Sequence, residues 1–377
     1  MAKQLTRQEI IAATLDKIKD KYPKSTLGIY SELGKKVHKN LLKTGSITVD
    51  YVLGGGLAKQ SCLVGFPSSG KTTVALMAIA QYQKENPDAA VIYCDAEFAL
   101  DINYAKSLGV DIDKIILLQP NSAEEGYNII ENFIESGLAD IVVIDSVASM
   151  IPRELTDGEY GDSVQIGRMA TLTTRAVARL NRLAGLHENT HIIWINQYKK
   201  ATSVGMFDIA SPEQLNTKYY MPGGQQFPFF MGQVIQITRT GQLKQGKEIQ
   251  SNVITVKTTK NKVGVPYRQG ETVITFGKGI DKEAELVTLG LAQGLIKQSG
   301  AMYEFSEEIG CTDRIHGRVK IGSYFAEHPD VAAKMDEVLR NKLFGTFESK
   351  VKIDRSDFES EEDLTDEELE EAAETEA

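Results

Sequence analysis

Gly65, Gly70, Lys71 and Thr72 occupy the fixed places of the spacing G-x-x-x-x-G-K-[ST] in the octapeptide GFPSSGKT. The glycines let the backbone curl until its N–H groups point at phosphate oxygens, and the N-terminus of a following helix adds a favourable field. Lys71 supplies a point charge for the outer phosphates, and Thr72 a hydroxyl for Mg²⁺. A Gly-Ser turn arising by chance is the alternative. The flanks speak against it, because strand-like Cys62, Leu63 and Val64 precede the segment and helix-compatible residues 73–83 follow it. The expected ATP-binding run is therefore Gly65, Phe66, Pro67, Ser68, Ser69, Gly70, Lys71, Thr72 and Thr73.

Two carboxylates complete the chemistry. Val142, Val143 and Ile144 lead into Asp145, and a strand-end Asp beside a phosphate loop is placed to share Mg²⁺ with Thr72. Glu97, in DAEFALD, follows an apolar run ending at Cys94. In a parallel sheet that strand end lies on the phosphate-loop edge, so Glu97 is the candidate to orient and deprotonate water. A carboxylate that merely starts a helix is the competing reading of Glu97.

These groups need a sheet to hold them. Between residues 45 and 278 apolar strands alternate with helices: Leu63–Phe66, Ala90–Cys94, Lys114–Leu118, Ala139–Ile144 and His191–Asn196. Val234–Thr238, Val253–Lys257 and Thr272–Phe276 then follow one another as hairpins. The expected fold is α/β, a mostly parallel twisted sheet with an antiparallel extension covered by helices. Residues 7–22 read as an amphipathic helix with Ile11, Leu15, Ile18 and Tyr22 on one stripe, stopped by Pro23. That stripe must dock on the chain's own core or on a neighbouring subunit. The expected division is 1–43 N-terminal helix and linker, 44–279 core, 280–353 a smaller mixed unit with helices near Glu283–Leu289 and Asp330–Lys342, and 354–377 a tail. Residues 198–222 form a long loop without periodicity, a length that in compact domains signals function or disorder.

Charge is unevenly spread. The net charge of −10 arises in residues 354–377, which hold thirteen acidic side chains and one basic one, so residues 1–353 carry +2. Such a tail is expected to stay unfolded, either as a solubiliser or as a polyanion competing with nucleic acid for a basic surface. No apolar run is long enough to span a membrane, and the N-terminus lacks a secretory pattern. Cys62, Cys94 and Cys311 are odd in number and far apart, which predicts a reduced, cytoplasmic protein with neither a disulfide framework nor zinc.

Taken together, GFPSSGKTT, YCDAEFALDINYAKSLGVDI, VVIDSVASMIP, GEYGDS, INQ, GG and KNKVGVPYRQ run in one order. From about Thr44 to Leu295 the chain resembles the RecA recombinases of bacteria. The resemblance implies a RecA-type ATPase core. It also implies that Glu97 is the catalytic carboxylate, that Asp101 and Tyr104 hold and stack on adenine, and that Asn196 and Gln197 sense the γ-phosphate. Lys260 and Lys262 would reach the nucleotide of the adjacent subunit, as trans-acting cations can. On residue type alone both lysines read as a solvated strand end. Phe229 matches an interface residue linking ATP state to DNA.

Two DNA-gripping loops are implied, matching Asp157 to Val164 and Tyr198 to Gly224. The second has fitting ingredients: Lys199 and Lys200 for phosphates, Met206 and Phe207 for bases, Gly223 and Gly224 for close backbone approach. Arg168 and Arg175, seven apart on a predicted helix, offer two phosphate clamps or a solvated face. Departures are Phe66-Pro67 in the phosphate loop, Phe98 beside Glu97, and about ten extra residues in the second loop, including Lys218, Tyr219 and Tyr220. They suit a divergent or phage-encoded member. The expected function is a Mg²⁺- and DNA-dependent ATPase that forms helical filaments on single-stranded DNA and exchanges strands with duplex DNA. Single-strand binding and loader proteins are further expected partners. A ring-forming helicase and a non-hydrolysing, ATP-regulated DNA-binding module are the rival readings.

Overall fold

The structure is a computed structural model that describes residues 6–22, 27–28, 40–157, 167–200, 219–245 and 248–345. Its centre is a nine-stranded sheet. The strands are β1 (Gln60–Gly65), β2 (Val91–Asp95), β3 (Ile115–Leu118), β4 (Ile141–Asp145), β5 (His191–Gln197), β8 (Gln233–Gln245), β9 (Glu248–Asn261), β10 (Gln269–Thr275) and β11 (Gly279–Ile280). They lie in the order β11-β10-β9-β8-β1-β5-β4-β2-β3. Strands β1 to β5 are parallel to their neighbours, β8 is parallel to β1 but antiparallel to β9, and β10 and β11 continue the antiparallel pairing. The expected α/β class and its antiparallel extension are therefore the observed ones.

The central strands are apolar on both sides because both sheet faces are covered. Every residue of β1, β2 and β4 is buried. One face packs on the helix Lys71–Glu85 through Val74, Leu76 and Ile79. The other packs on the helices Ala123–Glu135 and Arg168–Leu186 through Tyr127, Ile130, Val177 and Leu180. Each such side chain contributes about 1.5–3 kcal/mol by leaving water. Trp194 is fully buried on β5, and its indole N–H donates to Gln60 Oε1 at 2.8 Å.

A second core gathers Leu286, Ile296, Tyr303, Phe325, Met335 and Leu339 around the antiparallel sheet β12 (Ile296–Ser299), β13 (Met302–Phe305) and β14 (Arg314–His316). It is tied to the first core by buried charge. Glu285 accepts from Ser46 Oγ at 2.7 Å and from the N–H groups of Ile47 and Thr48, a carboxylate at a helix start. Arg340 donates to fully buried Asp50 at 2.9 Å.

Two expectations need correction, and one open alternative is narrowed. Strands β8 and β9 run for 13 and 14 residues, far beyond the apolar cores Val234–Thr238 and Val253–Lys257. Their outer parts are rich in Thr, Gln and Lys, so pairing, with burial of a few polar residues such as Asn252 and Thr258, extends them. The segment 198–222 is not wholly irregular, because β6 (Lys199–Lys200) pairs antiparallel with β7 (Tyr219–Tyr220) and closes its base. The helix Arg7–Lys21 buries no residue, and Ile10, Ile11, Ile18 and Tyr22 are exposed, so its stripe is not covered by the chain's own core.

Candidate active site

Parallel register brings the candidate residues to one sheet edge. Gly65 at the end of β1 pairs with Gln197 at the end of β5, and Asp95 at the end of β2 pairs with Asp145 at the end of β4. Neighbouring strands lie about 4.8 Å apart, so four strand ends face one cleft. The phosphate-loop glycines are dictated sterically as well as chemically. A Cβ on Gly65 would sit 2.1 Å from the Ile237 carbonyl oxygen, and Gly70 has φ of +94° with Ile274 against the same position.

Lys71 lies inside this loop. Its Nζ donates to the carbonyls of Phe66 at 2.6 Å and Gly65 at 3.1 Å. Burial pulls its pKa down to about 8, although the charges of Asp145 and Glu97 pull the other way. Thr72 Oγ1 donates to Asp145 Oδ2 at 3.0 Å, and the Tyr93 hydroxyl donates to the same oxygen at 2.8 Å. Burial raises the Asp145 pKa, and these two hydrogen bonds oppose that rise.

Glu97 Oε1 is held from three sides. It accepts from Gln197 Nε2 at 2.7 Å, from Ser146 Oγ, and from Ser149 Oγ at 3.5 Å. Its carboxylate is therefore oriented by the ends of β4 and β5, which a mere helix-start residue would not need. Asn196, fully buried, donates from Nδ2 to the Pro222 carbonyl at 2.7 Å and accepts from the Gln197 N–H at 2.9 Å. One hydrogen-bonded line thus runs from Glu97 through Gln197 and Asn196 to the far end of the 198–224 segment.

Beside the phosphate loop lies a cavity of about 460 Å³, within the usual size of small-molecule sites, whose lining does not include Glu97, Asp145 or Gln197. Residues Ser68 to Thr73 form its floor, Tyr104 one wall, and Arg239, Asn252 and Phe276 the other. Tyr104 is fixed by a 2.8 Å hydrogen bond between its hydroxyl and Thr73 Oγ1. Asp101 caps the helix Ile102–Ser107 by accepting from the N–H groups of Asn103 and Tyr104. The oxygen pair Thr72 and Asp145 is the donor set Mg²⁺ accepts, since that ion takes one or two protein oxygens and fills its shell with phosphate and water. The loop's N–H cradle and Lys71 match a triphosphate.

Lys260 and Lys262 lie elsewhere. Lys260 pairs with Val234 at the start of β8, which pairs with Cys62 on β1, about 10 Å along the strand before Gly65. Lys260 Nζ donates to the carbonyls of Pro228 at 2.6 Å and Phe229 at 3.1 Å, and Lys262 Nζ to that of Phe229 at 3.3 Å. Phe229 is itself exposed. The structure therefore joins the two lysines and the aromatic in one patch at the sheet edge away from their own phosphate loop.

Of the expected DNA-contacting residues, Arg168 and Arg175 are both exposed on the helix Arg168–Leu186, and Arg168 is ion-paired with Glu154. Lys199 is exposed. Gly223 and Gly224 have positive φ and pack so closely on Phe227 and Ala170 that a Cβ would meet them at 3.3 and 3.1 Å. Packing within the chain accounts for both glycines. Met206, Phe207, most of the Asp157–Val164 loop and the acidic tail lie outside the described residues. Sequence reasoning missed Tyr93, Ser146 and Ser149, although Ser146 adjoins Asp145 and Tyr93 shares a strand side with Asp95. It also missed the Arg239–Asn252 wall, which exists only because β8 and β9 are long.

A strand, a glycine-rich loop and a helix start, flanked by carboxylates at neighbouring parallel strand ends, define a phosphate-loop α/β protein. A family model described as the RecA N-terminal domain matches residues 9–281. Proteins named Protein RecA are similar over nearly the whole chain. That of Staphylococcus epidermidis is 40% identical over 346 residues, covering 90% of this chain and 94% of the relative. That of Macrococcus caseolyticus is 39% identical over 350 residues, covering 91% and 94%. That of Staphylococcus aureus is 38% identical over 342 residues, covering 89% and 93%. The chain belongs to the RecA family of recombinases.

Proposed function

We propose that this protein is a DNA-dependent ATPase that assembles as a helical filament on single-stranded DNA, pairs it with homologous duplex and exchanges strands. The observation that carries the reading is the pairing of a complete phosphate-loop half-site with a lysine–aromatic patch on the opposite sheet edge. Such a chain completes its site only by stacking head to tail on a second copy, and a heterologous contact of that kind builds helices when it does not close.

Within the site, Lys71 and the loop N–H groups hold the triphosphate, and Thr72 with Asp145 hold Mg²⁺, which when bound neutralises phosphate charge. Glu97 orients the attacking water and accepts its proton, held in place by Gln197, Ser146 and Ser149. Tyr104 and Asp101 frame the base. Lys260 and Lys262 exchange their carbonyl partners for the phosphates of the neighbouring subunit. Gln197 and Asn196 pass the state of that site to the 198–224 segment, where Lys199 and Lys200, with Arg168 and Arg175, meet DNA phosphates. Contacts to phosphate carry no sequence information, so base pairing supplies the homology test.

The chain divides functionally into an N-terminal oligomerisation helix and linker (1–43), the ATPase core (44–279), a C-terminal domain (280–353) and an acidic tail (354–377) that screens the basic surface. Among the described residues no helix is long and apolar enough to cross a membrane, in keeping with action in the cytoplasm alongside single-strand binding and loader proteins. The test is ATP hydrolysis with and without single-stranded DNA, joined to electron microscopy with a slowly hydrolysed ATP analogue. Stimulation by DNA and open helical filaments are expected. Closed rings would favour a helicase, and hydrolysis indifferent to DNA would sink the reading.

A further inference from the structure

Phosphate chemistry sets the glycines, lysine and threonine of the phosphate loop, and nothing in it asks for an aromatic at residue 66. Yet the Phe66 ring lies edge-on to Tyr219, centroids 5.0 Å apart at 85°, and against Tyr198 at 5.7 Å and 53°. Both tyrosines belong to the base of the 198–224 segment. Tyr198 directly follows Gln197, and Tyr219 sits on β7, paired with Lys200 on β6. Two departures from the family pattern, an aromatic in the phosphate loop and inserted tyrosines near the end of the second loop, therefore touch each other.

We infer that Phe66, Tyr198 and Tyr219 form an aromatic clasp that positions the β6–β7 base against the phosphate loop and couples nucleotide occupancy to single-stranded DNA affinity within one subunit. This rests on the proposed function. It is a second route, which starts from the loop backbone itself and meets the line through Glu97, Gln197 and Asn196 only at Tyr198 and Pro222. The Phe66 carbonyl accepts Lys71 Nζ at 2.6 Å while the Phe66 ring holds Tyr219. An arriving triphosphate competes for the Lys71 donors, so the carbonyl loses its partner and the ring is carried with its backbone. Edge-to-face rings favour one geometry over its displaced alternatives, so that shift is felt at β7. Around the clasp, Met221 sulfur lies 3.8 Å from Cys62 sulfur and the Pro222 carbonyl is held by Asn196, so the chain directly after β7 is anchored at two successive residues. Phe66 and Tyr219 are thus positioning residues for the DNA-facing strand pair, on which Lys199 is exposed.

The test measures affinity for a fluorescein-labelled oligo-dT with and without a slowly hydrolysed ATP analogue, at fixed protein concentration. The readout is the ratio of the two affinities. A merely structural role would weaken both alike and leave the ratio unchanged. Tyr219→Ala is expected to lower the ratio about 2- to 10-fold, the value of one aromatic pair. Tyr219→Phe keeps the ratio, and Phe66→Ala combined with Tyr219→Ala lowers it no further than the larger single change, because both break one contact. Tyr219→Leu fills the same space without a ring, and it is expected to lower the ratio as Tyr219→Ala does even if the alanine variant folds poorly. A wild-type ratio in Tyr219→Leu, or losses that multiply in the double variant, overturns the clasp alone. A wild-type chain whose DNA affinity ignores the nucleotide overturns the functional reading and the clasp with it.

Discussion

The two ends of the parallel sheet are built on opposite principles. At the C-terminal edge, polar groups are buried or half-buried and multiply held: Asp145 accepts from Thr72 and Tyr93, and Glu97 from Gln197 and two serines. At the other edge, Phe229 is 69% exposed and the lysine amines rest on main-chain carbonyls. The first region is already arranged for its chemistry, and low-dielectric surroundings make each of its hydrogen bonds count. The second would leave its partners in the proposed reading, since a lysine on neutral carbonyls gains an anionic partner when phosphate replaces them. On the proposed function, the difference teaches that preorganisation is concentrated in one half of the site, and adaptability in the half that would be offered to a neighbour.

The sharpest way to break this comparison is Glu97→Gln. It keeps the shape of the hydrogen-bonded cluster and removes the base, so kcat for ATP is expected to fall by about 10²–10⁴. A fall of less than threefold in steady-state hydrolysis would show that Glu97 is structural. Lys260→Ala is expected to cost about 10²–10³ in DNA-stimulated turnover, near the lower range for trans-acting cations. Mixing the Lys260→Ala chain with the Glu97→Gln chain should restore part of the activity, because some interfaces then carry both intact halves. If the mixture is no better than its parts, the patch does not serve a neighbour.

Smaller effects sharpen the contrast. Gln197→Ala removes one of the three hydrogen bonds on Glu97 while keeping the backbone N–H that Asn196 accepts, so it cuts the line at Glu97, and about a 10-fold loss of DNA stimulation is expected. Retention of full stimulation would leave the line through Asn196 without function. A titration supplies the last test. Burial holds the Lys71 pKa near 8 in the free site, and bound phosphate would raise it. Nucleotide affinity is then highest below pH 8 and falls as pH rises through that value, by at most about tenfold per pH unit. Calorimetry in buffers of different ionisation enthalpy should record proton uptake on binding near pH 8.5, and Lys71→Arg should abolish it.

Much of this was legible in the chain. The buried strands of the parallel half stood out as Val/Ile-rich runs, because both faces of that sheet are covered and no polar residue interrupts them. The long β8–β9 hairpin did not stand out, since its outer part alternates polar residues and is held more by pairing than by burial. Asp145 and Glu97 could be chosen from their strand ends. Tyr93, Ser146 and Ser149 could not be ranked above other polar residues without knowing which strands adjoin. The amphipathic stripe of the helix Arg7–Lys21 was readable, but only the structure shows that its own core leaves it exposed.

The sequence by itself determined the phosphate loop, its helix and the α/β class, because these depend on residues within a few positions of one another and on apolar periodicity. It could not determine that β2, β4, β5 and β1 lie side by side, nor that Lys260 and Lys262 sit on the edge away from their own loop. It could not show that Phe66 meets a tyrosine more than 150 positions later. Those facts follow from strand order and register, which are set by how the whole core packs, and no local stretch of chain encodes them.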